Sequence, residues 1–284
     1  MGNNLPKIVN DVEIKNYLIP LRDSLAGYAI RKYSYGEFLN SAMLAITGSE
    51  TLKNCLRTEK GRLSLKSALR FAAVNGLSLN PQLGKACIVA YGDVVSYQPM
   101  KDGLIDLAME SGKIEIIESD FIHKKDKFEV TKTTKGAEFR HTPAVADRGE
   151  IVAYYVCVIL KTGRSIVKHW DKTRGLAHRD KYAKGLYDKN GKLKPGHSWV
   201  KSFDPMVIKS ILKEIFRTTK ISPELSAAVV TDDIAECRPG IKNITEEAES
   251  MTSEELKDKI KNHDPTLDKE QKTEVSKPKP GDAF

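Results

Sequence analysis

The sequence predicts an α+β fold: antiparallel β-hairpins packed with helices, a helical N-terminal block and a disordered C-terminal tail. Three observations carry this. Residues 11–75 repeat apolar side chains at helical spacing, residues 77–170 contain short apolar runs separated by Gly turns, and the chain after Arg238-Pro239-Gly240 is poor in large apolar residues. The folded part is therefore placed at 1–239, with a helical block at about 11–75 and an α+β core at about 77–235. Residues 240–284 form a flexible charged tail.

Helix is predicted from VEIKNYLIPLRDSLAGYA through YSYGEFLNSAMLAIT, then over 52–56 and 64–75, where Asn75-Gly76 is a stop signal. LSLNPQLGKACIVAYGDVVSYQ changes character. An Asn-Pro turn, a strand over 85–91, a Gly92-Asp93 turn and a strand over 94–98 predict a hairpin. Residues 99–110 return to helix, closed by Ser111-Gly112, and extended runs follow in IEIIESDFIH and DKFEVT. EIVAYYVCVIL, Thr162-Gly163 and RSIVKHW make a second hairpin, and the near-continuous apolar character of its first strand predicts cover on both faces. DKTRGLAHRDKYAK over 171–184 is helix-compatible and rich in cations, and YDKNGKLKPGHS after it reads as a mobile loop. Ser222-Pro223 opens a last short helix, PELSAAVV, ending near Asp232 and Asp233.

Between these lies the best-marked helix, in WVKSFDPMVIKSILKEIFRTTK. Asp204 stands where an N-cap belongs and Pro205 at the first helical position, where its missing N–H costs nothing. Val207, Ile208, Ile211, Leu212 and Ile215, with Phe216 beside them, form a core-facing stripe. Lys209, Lys213 and Arg217 recur at i, i+4 and i+8 on the other side. Like charges stacked this way repel by about 0.2–0.5 kcal/mol per pair. The row is either a solvated face or a set of phosphate contacts.

The 284 residues carry a net charge of +8 and are 40% hydrophobic, enough for a substantial core. Residues 241–284 hold 8 Lys against 11 Asp and Glu, a balance of −3, which leaves +11 on the remainder. Such an excess points to nucleic acid before an anionic membrane. No apolar run approaches the roughly 20 residues that span a bilayer, and MGNNLPKIVN has no secretory-signal pattern, so a cytoplasmic protein is expected. Cys55, Cys87, Cys157 and Cys237 lack paired spacing, which predicts reduced thiols, and no Cys/His group has zinc spacing.

Neither a phosphate-binding G-x-x-x-x-G-K-S/T loop nor a G-x-S-x-G elbow occurs. No ATP requirement or resident cofactor is expected, with Mg2+ at most a modulator. Glu115, Glu118, Asp120, Asp126 and Glu129, interleaved with Lys124, Lys125 and Lys127, pose the alternative of a metal-dependent nuclease. Against it, Glu115 and Glu118 lie three apart on a strand and point to opposite faces. Single-strand binding instead combines a cationic groove with aromatic planes, stacking being worth about 1–3 kcal/mol per base. Candidate contacts are Lys209, Lys213 and Arg217, joined by Lys172, Arg174, Arg179, Lys181, Lys201 and Lys220. Tyr182, Tyr187, Trp199, Phe203 and Met206 lie among these cations, and Tyr97 with Lys101 sits at the first hairpin's end.

Three blocks carry a resemblance to a known family. They are LSLNPQLGKACIVAYGDVVSYQPMKDGLIDLAMESGKI, RGEIVAYYVCVILKTG and WVKSFDPMVIKSILKEIFRTTKISPELSAAVVTDD, spread with their spacers over roughly 30–235. In order and spacing they resemble the RecT family of phage and prophage single-strand annealing proteins. In the third block Trp199, Asp204, Lys209, Lys213 and Arg217 match the family's aromatic, Asp and basic helix. Pro205, Ser202 and Ser210 depart from it.

The resemblance implies a protein without covalent chemistry that coats single-stranded DNA, forms rings or filaments, and pairs complementary strands without ATP in homologous recombination. It implies a phage exonuclease and, through the C-terminal region, a host single-strand-binding protein as partners, in a bacterial cytoplasm. The helical N-terminal block is the candidate for subunit contacts and the tail for partner binding. The rival classes are the nuclease and a structural protein that binds DNA without annealing it.

Overall fold

The structure, a computed structural model, describes residues 10–21, 25, 32–134, 136–183 and 185–235. The tail, Cys237, Lys184 and part of the helical block expected near 22–31 lie outside the described residues.

The N-terminal helices are α1 (Asp11–Leu18), α2 (Tyr35–Thr47), α3 (Glu50–Cys55) and α4 (Glu59–Asn75). Polar caps mark their starts: Asn10 with Glu13 and Ser34 with Glu37 form reciprocal capping boxes, and Thr58 accepts the Gly61 N–H. Gly76 ends α4 in the left-handed region at φ 61°, as Asn75-Gly76 predicts. A 3-10 turn, Pro81–Leu83, leads to β1 (Ala86–Tyr91) and β2 (Val94–Pro99), an antiparallel hairpin packed on α4. Pro99 closes β2 rather than opening the next helix, α5 (Lys101–Glu110).

A second sheet follows, of β3 (Ile114–His123), β4 (Lys127–Thr133), β5 (Gly136–Thr142), β6 (Ile151–Leu160) and β7 (Ser165–Asp171), in the order β3-β6-β7-β5-β4. Its ladders are antiparallel except for one parallel pairing of Gly136 with Ser165. A Cβ on Gly136 would lie 2.1 Å from the Ser165 carbonyl oxygen, so only glycine fits this seam. Strand β6 is covered on both faces, as its apolar run predicts. Tyr154, Val156 and Val158 belong to the buried core, and Tyr155 on the opposite face meets Phe128 and Phe139 of the β4–β5 hairpin at 5.2 and 5.0 Å between ring centroids.

The chain then forms α6 (Lys172–Tyr182), α7 (Ser198–Lys201), α8 (Phe203–Thr219) and α9 (Pro223–Ala235). Helix α8 packs on β6, β7 and α5, while α9 packs on β2, α4, α5 and α8. Leu225 and Val229, both buried, each contribute on the order of 2 kcal/mol to the seating of α9. Val207, Ile208, Ile211, Leu212, Ile215 and Phe216 are all buried, as the periodicity of α8 predicts. Its start lies two residues before the expected place. The helix begins at Phe203 after Ser202, which makes no side-chain cap bond, and Asp204 lies in the first turn, where Oδ1 accepts the Tyr154 hydroxyl at 2.7 Å. Among the described residues, no helix is long and apolar enough to cross a membrane, and Cys55, Cys87 and Cys157 are free thiols.

Candidate nucleic-acid interface

The cationic row of α8 does not face solvent. Lys209 is 6% and Lys213 1% exposed, and α9 lays Asp232 and Asp233 against them. Lys209 Nζ donates to Asp232 Oδ1 at 2.6 Å; Lys213 Nζ bridges Asp232 Oδ2 and Asp233 Oδ1, the latter at 2.9 Å. Arg217 grips Asp233 through Nη2 at 2.6 and 2.7 Å and Nε at 2.9 Å. The expectation of an open row is corrected, and the reason is electrostatic. Three cations at one spacing need a compensating anion, and two carboxylates of the next helix supply it. Burial works to raise the Asp232 carboxyl, but Lys209 and Lys213 outweigh it and hold it below the usual carboxylate range.

Several predicted aromatics also belong to the interior. Trp199 and Tyr97 are buried, and the Tyr97 hydroxyl accepts Asn75 Nδ2 at 3.2 Å. Phe203 is half-buried between Tyr154 and Trp199, and Tyr182 packs on His178 with 4.7 Å between centroids. Met206 is half-buried, its carbonyl accepting Ser210 Oγ; Lys101 is half-buried beside Asp102 at 3.4 Å. Lys220 is exposed at the left-handed end of α8.

The cations of α6 divide by helical geometry. Lys172 and Arg179 are seven apart on one side, and Arg174 and Lys181 are seven apart on a side rotated by about 200°. They do not form one row. Arg174 lies 4.4 Å over the Trp170 ring and donates to Glu214 Oε2 at 3.1 Å. The same carboxylate accepts Trp170 Nε1 at 2.8 Å and pairs with Lys168 at 3.1 Å. Burial pushes the Glu214 carboxyl up, but the bonds from Trp170 and Lys168 prevail and hold it below its ordinary value. Arg179 is turned to Asp180 at 2.8 Å and stands 5.8 Å over Phe203.

What remains open to solvent joins the predicted Lys172, Lys181 and Lys201 to a hairpin whose lysines the sequence reading passed over. Residues 186–194, which take in the first part of the expected mobile loop, form a tied hairpin. Tyr187 and Leu193 pair as a β-bridge, and Asp188 Oδ1 accepts the N–H groups of Asn190 and Lys192, both at 2.8 Å. The Tyr187 hydroxyl donates to Asp180 Oδ1 at 3.3 Å, which fastens the hairpin to α6. Lys189, Lys192 and Lys194 are exposed on it, with Tyr187 at 46% and Leu193 at 39%. The carboxylates of this stretch are already engaged: Asp171 accepts the Arg174 N–H at the start of α6, Asp180 takes Arg179, and Asp188 caps the turn. Lys172, Lys181, Lys189, Lys192, Lys194 and Lys201 are exposed, and among the described residues none of them is ion-paired. The Asn190-Gly191 turn signal together with Asp188 could have revealed the tied turn in the sequence.

The acidic cluster is not drawn together. Glu115 and Glu118 are exposed on β3, while the Asp126 side chain is fully buried and saturated. Its oxygens accept Arg148 Nη2 at 2.6 Å and Nε at 3.1 Å, the N–H groups of His123 and Ala144 at 2.9 Å each, and contact His141 Nε2 at 3.1 Å. The Arg148 guanidinium, foremost among these donors, holds the Asp126 carboxyl well below the usual carboxylate range. Among the described residues, no group of three or more His, Cys, Asp or Glu side chains is arranged to hold a metal ion.

These features define a mixed α+β protein whose described solvent-facing charge between α6 and α7 is predominantly cationic. The chain belongs to the RecT family, whose model matches residues 36–270. It is also similar to the uncharacterized protein YqaK of Bacillus subtilis (strain 168), 28% identical over 193 residues, 68% of this chain and 64% of the relative. The chain thus spans less than two thirds of that relative's length.

Proposed function

We propose that this protein binds single-stranded DNA and anneals complementary strands in homologous recombination, as an oligomeric ring or filament and without ATP. Membership of the RecT family supports the class of activity. The observation that carries the site is the set of exposed, unpaired lysines from Lys172 to Lys201, gathered around a hairpin with Tyr187 and Leu193 at its surface. Lysines placed this way fix a phosphate backbone and release its counterions, while an exposed aromatic offers a plane to a base. Base pairing then supplies about 1.4 kcal/mol per stacked step, so the protein needs only to hold and align the strands.

Self-assembly continues the basic surface from one copy to the next, with the N-terminal helices as the contact region. The tail recruits partners, an exonuclease and a host single-strand-binding protein. The test is the annealing rate of two complementary oligonucleotides with no nucleotide present, with and without magnesium. Acceleration without ATP and without shortening of either strand is the expected result. Strand shortening that depends on a divalent ion would establish the nuclease instead, and binding without acceleration a structural role.

A further inference from the structure

The ion pairs around Glu214 differ from those of the buried carboxylates. The side chains of Asp126 and Asp232 are 0% exposed and enclosed by their donors. At the other node the Glu214 side chain is 25% exposed, that of Lys168 42% and that of Arg174 54%. Water reaches all three, so these pairs are of the weak, exchangeable kind. The charges do not balance either. Lys168 and Arg174 share one carboxylate, which leaves one positive charge on the node without an anion of its own among the described residues.

Both cations are positioned by more than the carboxylate. Lys168 and Trp170 stand two apart on β7, so they share one face of the strand, and both reach Glu214 of α8. The Arg174 guanidinium lies 4.4 Å over the Trp170 ring, a contact that does not depend on Glu214. Trp170 Nε1 in turn donates to Glu214 Oε2 at 2.8 Å and keeps that oxygen beside Arg174 Nη2. Arg174 is thus a pre-positioned fork with a replaceable partner, and a guanidinium fork matches a phosphate as it matches a carboxylate. The node adjoins the exposed lysines: Lys172 precedes Arg174 by two residues, and Lys181 lies seven beyond it on the same side of α6, about 10.5 Å along the axis.

We propose that Lys168 and Arg174 form a further phosphate seat for single-stranded DNA, and that Glu214 is its internal competitor, standing where the phosphate binds. The inference rests on the DNA-binding part of the proposed function and deepens it. As a strand binds, its phosphate takes over Lys168 and Arg174 while Glu214 retains the Trp170 N–H. The carboxylate left beside the phosphate repels it, so the seat holds a strand weakly and releases it readily.

The experiment is titration of a labelled oligothymidylate with the full chain at several salt concentrations, with thermal midpoints read on the same samples. Glu214→Gln keeps an acceptor for the indole and removes the charge. It is expected to bind about fivefold tighter at low salt, with a slope of log affinity against log salt steeper by about 0.7. Lys168→Ala/Arg174→Ala is expected to bind more weakly than wild type, and adding Glu214→Gln to it should no longer tighten binding. A Glu214→Gln variant that melts like wild type and binds no more tightly, or a gain that survives the loss of both cations, would overturn the seat. Should Glu214→Gln melt lower, the Lys168→Ala/Arg174→Ala variant, changed only at half-exposed side chains, decides: wild-type affinity and slope would overturn the seat as well. Failure of wild type to bind the oligonucleotide would instead sink the functional reading, and this inference with it.

Discussion

Lys213 is a charged side chain with almost no solvent, and its place in the protein depends on two aspartates nineteen and twenty residues later. Burying such a ladder adds little net stability, because desolvation offsets attraction, but removing one partner leaves an uncompensated charge. Asp232→Asn should therefore destabilise the protein by about 3–5 kcal/mol, read as a lower urea midpoint, while Lys189→Ala should stay within about 0.5 kcal/mol of wild type. Equal midpoints for the two would refute the ladder. Acid should act through the same kind of group. Glu214 and Asp126 have carboxyls held below their ordinary values, so they stabilise the fold above the ordinary carboxylate range, and that contribution is lost as pH falls through their depressed values. Thermal midpoints should thus fall on acidification below about pH 4, less so in Asp126→Asn. An Asp126→Asn variant as acid-sensitive as wild type would contradict this. The cation spacing in α8 was readable from the sequence, but its partners were not. Nothing local shows that Asp232 and Asp233 return to face Lys209, Lys213 and Arg217, since that pairing is made by the packing of α9.

At the scale of elements, signals within a few residues were legible and long-range ones were not. Asn75-Gly76, Gly92-Asp93 and Thr162-Gly163 mark the end of α4 and the turns of two hairpins through backbone preferences that act locally, and α8 is visible through its apolar stripe. Strand β5 escaped because GAEFRHT alternates around a single large apolar residue, Phe139, and its burial comes from Tyr155 of another strand. The hairpin at 186–194 escaped for the opposite reason: Gly, Pro and Lys read as mobility, while Asp188 and the Tyr187–Leu193 bridge tie it locally. The β5 seam makes its own prediction. Gly136 has φ 129° and its Cα faces the Ser165 carbonyl, so Gly136→Ala should cost well over about 1 kcal/mol. An unchanged thermal midpoint would show that the parallel pairing of β5 with β7 is not formed.

For the molecule as a whole, the sequence's basic excess is distributed in two ways. Part is neutralised internally, in the α8–α9 ladder and around Glu214, and part stands free between α6 and α7. The family was legible in three sequence blocks, but the lysines that the fold leaves available lie largely in the spacer between the second and third. The direct test of that placement is the salt dependence of single-stranded DNA binding by wild type and by Lys189→Ala/Lys192→Ala/Lys194→Ala. The slope of log affinity against log salt should become shallower by about 0.7 for each phosphate left without its lysine, about 2 in all, with binding weakened at low salt. A folded triple variant with the affinity and slope of wild type would contradict the account.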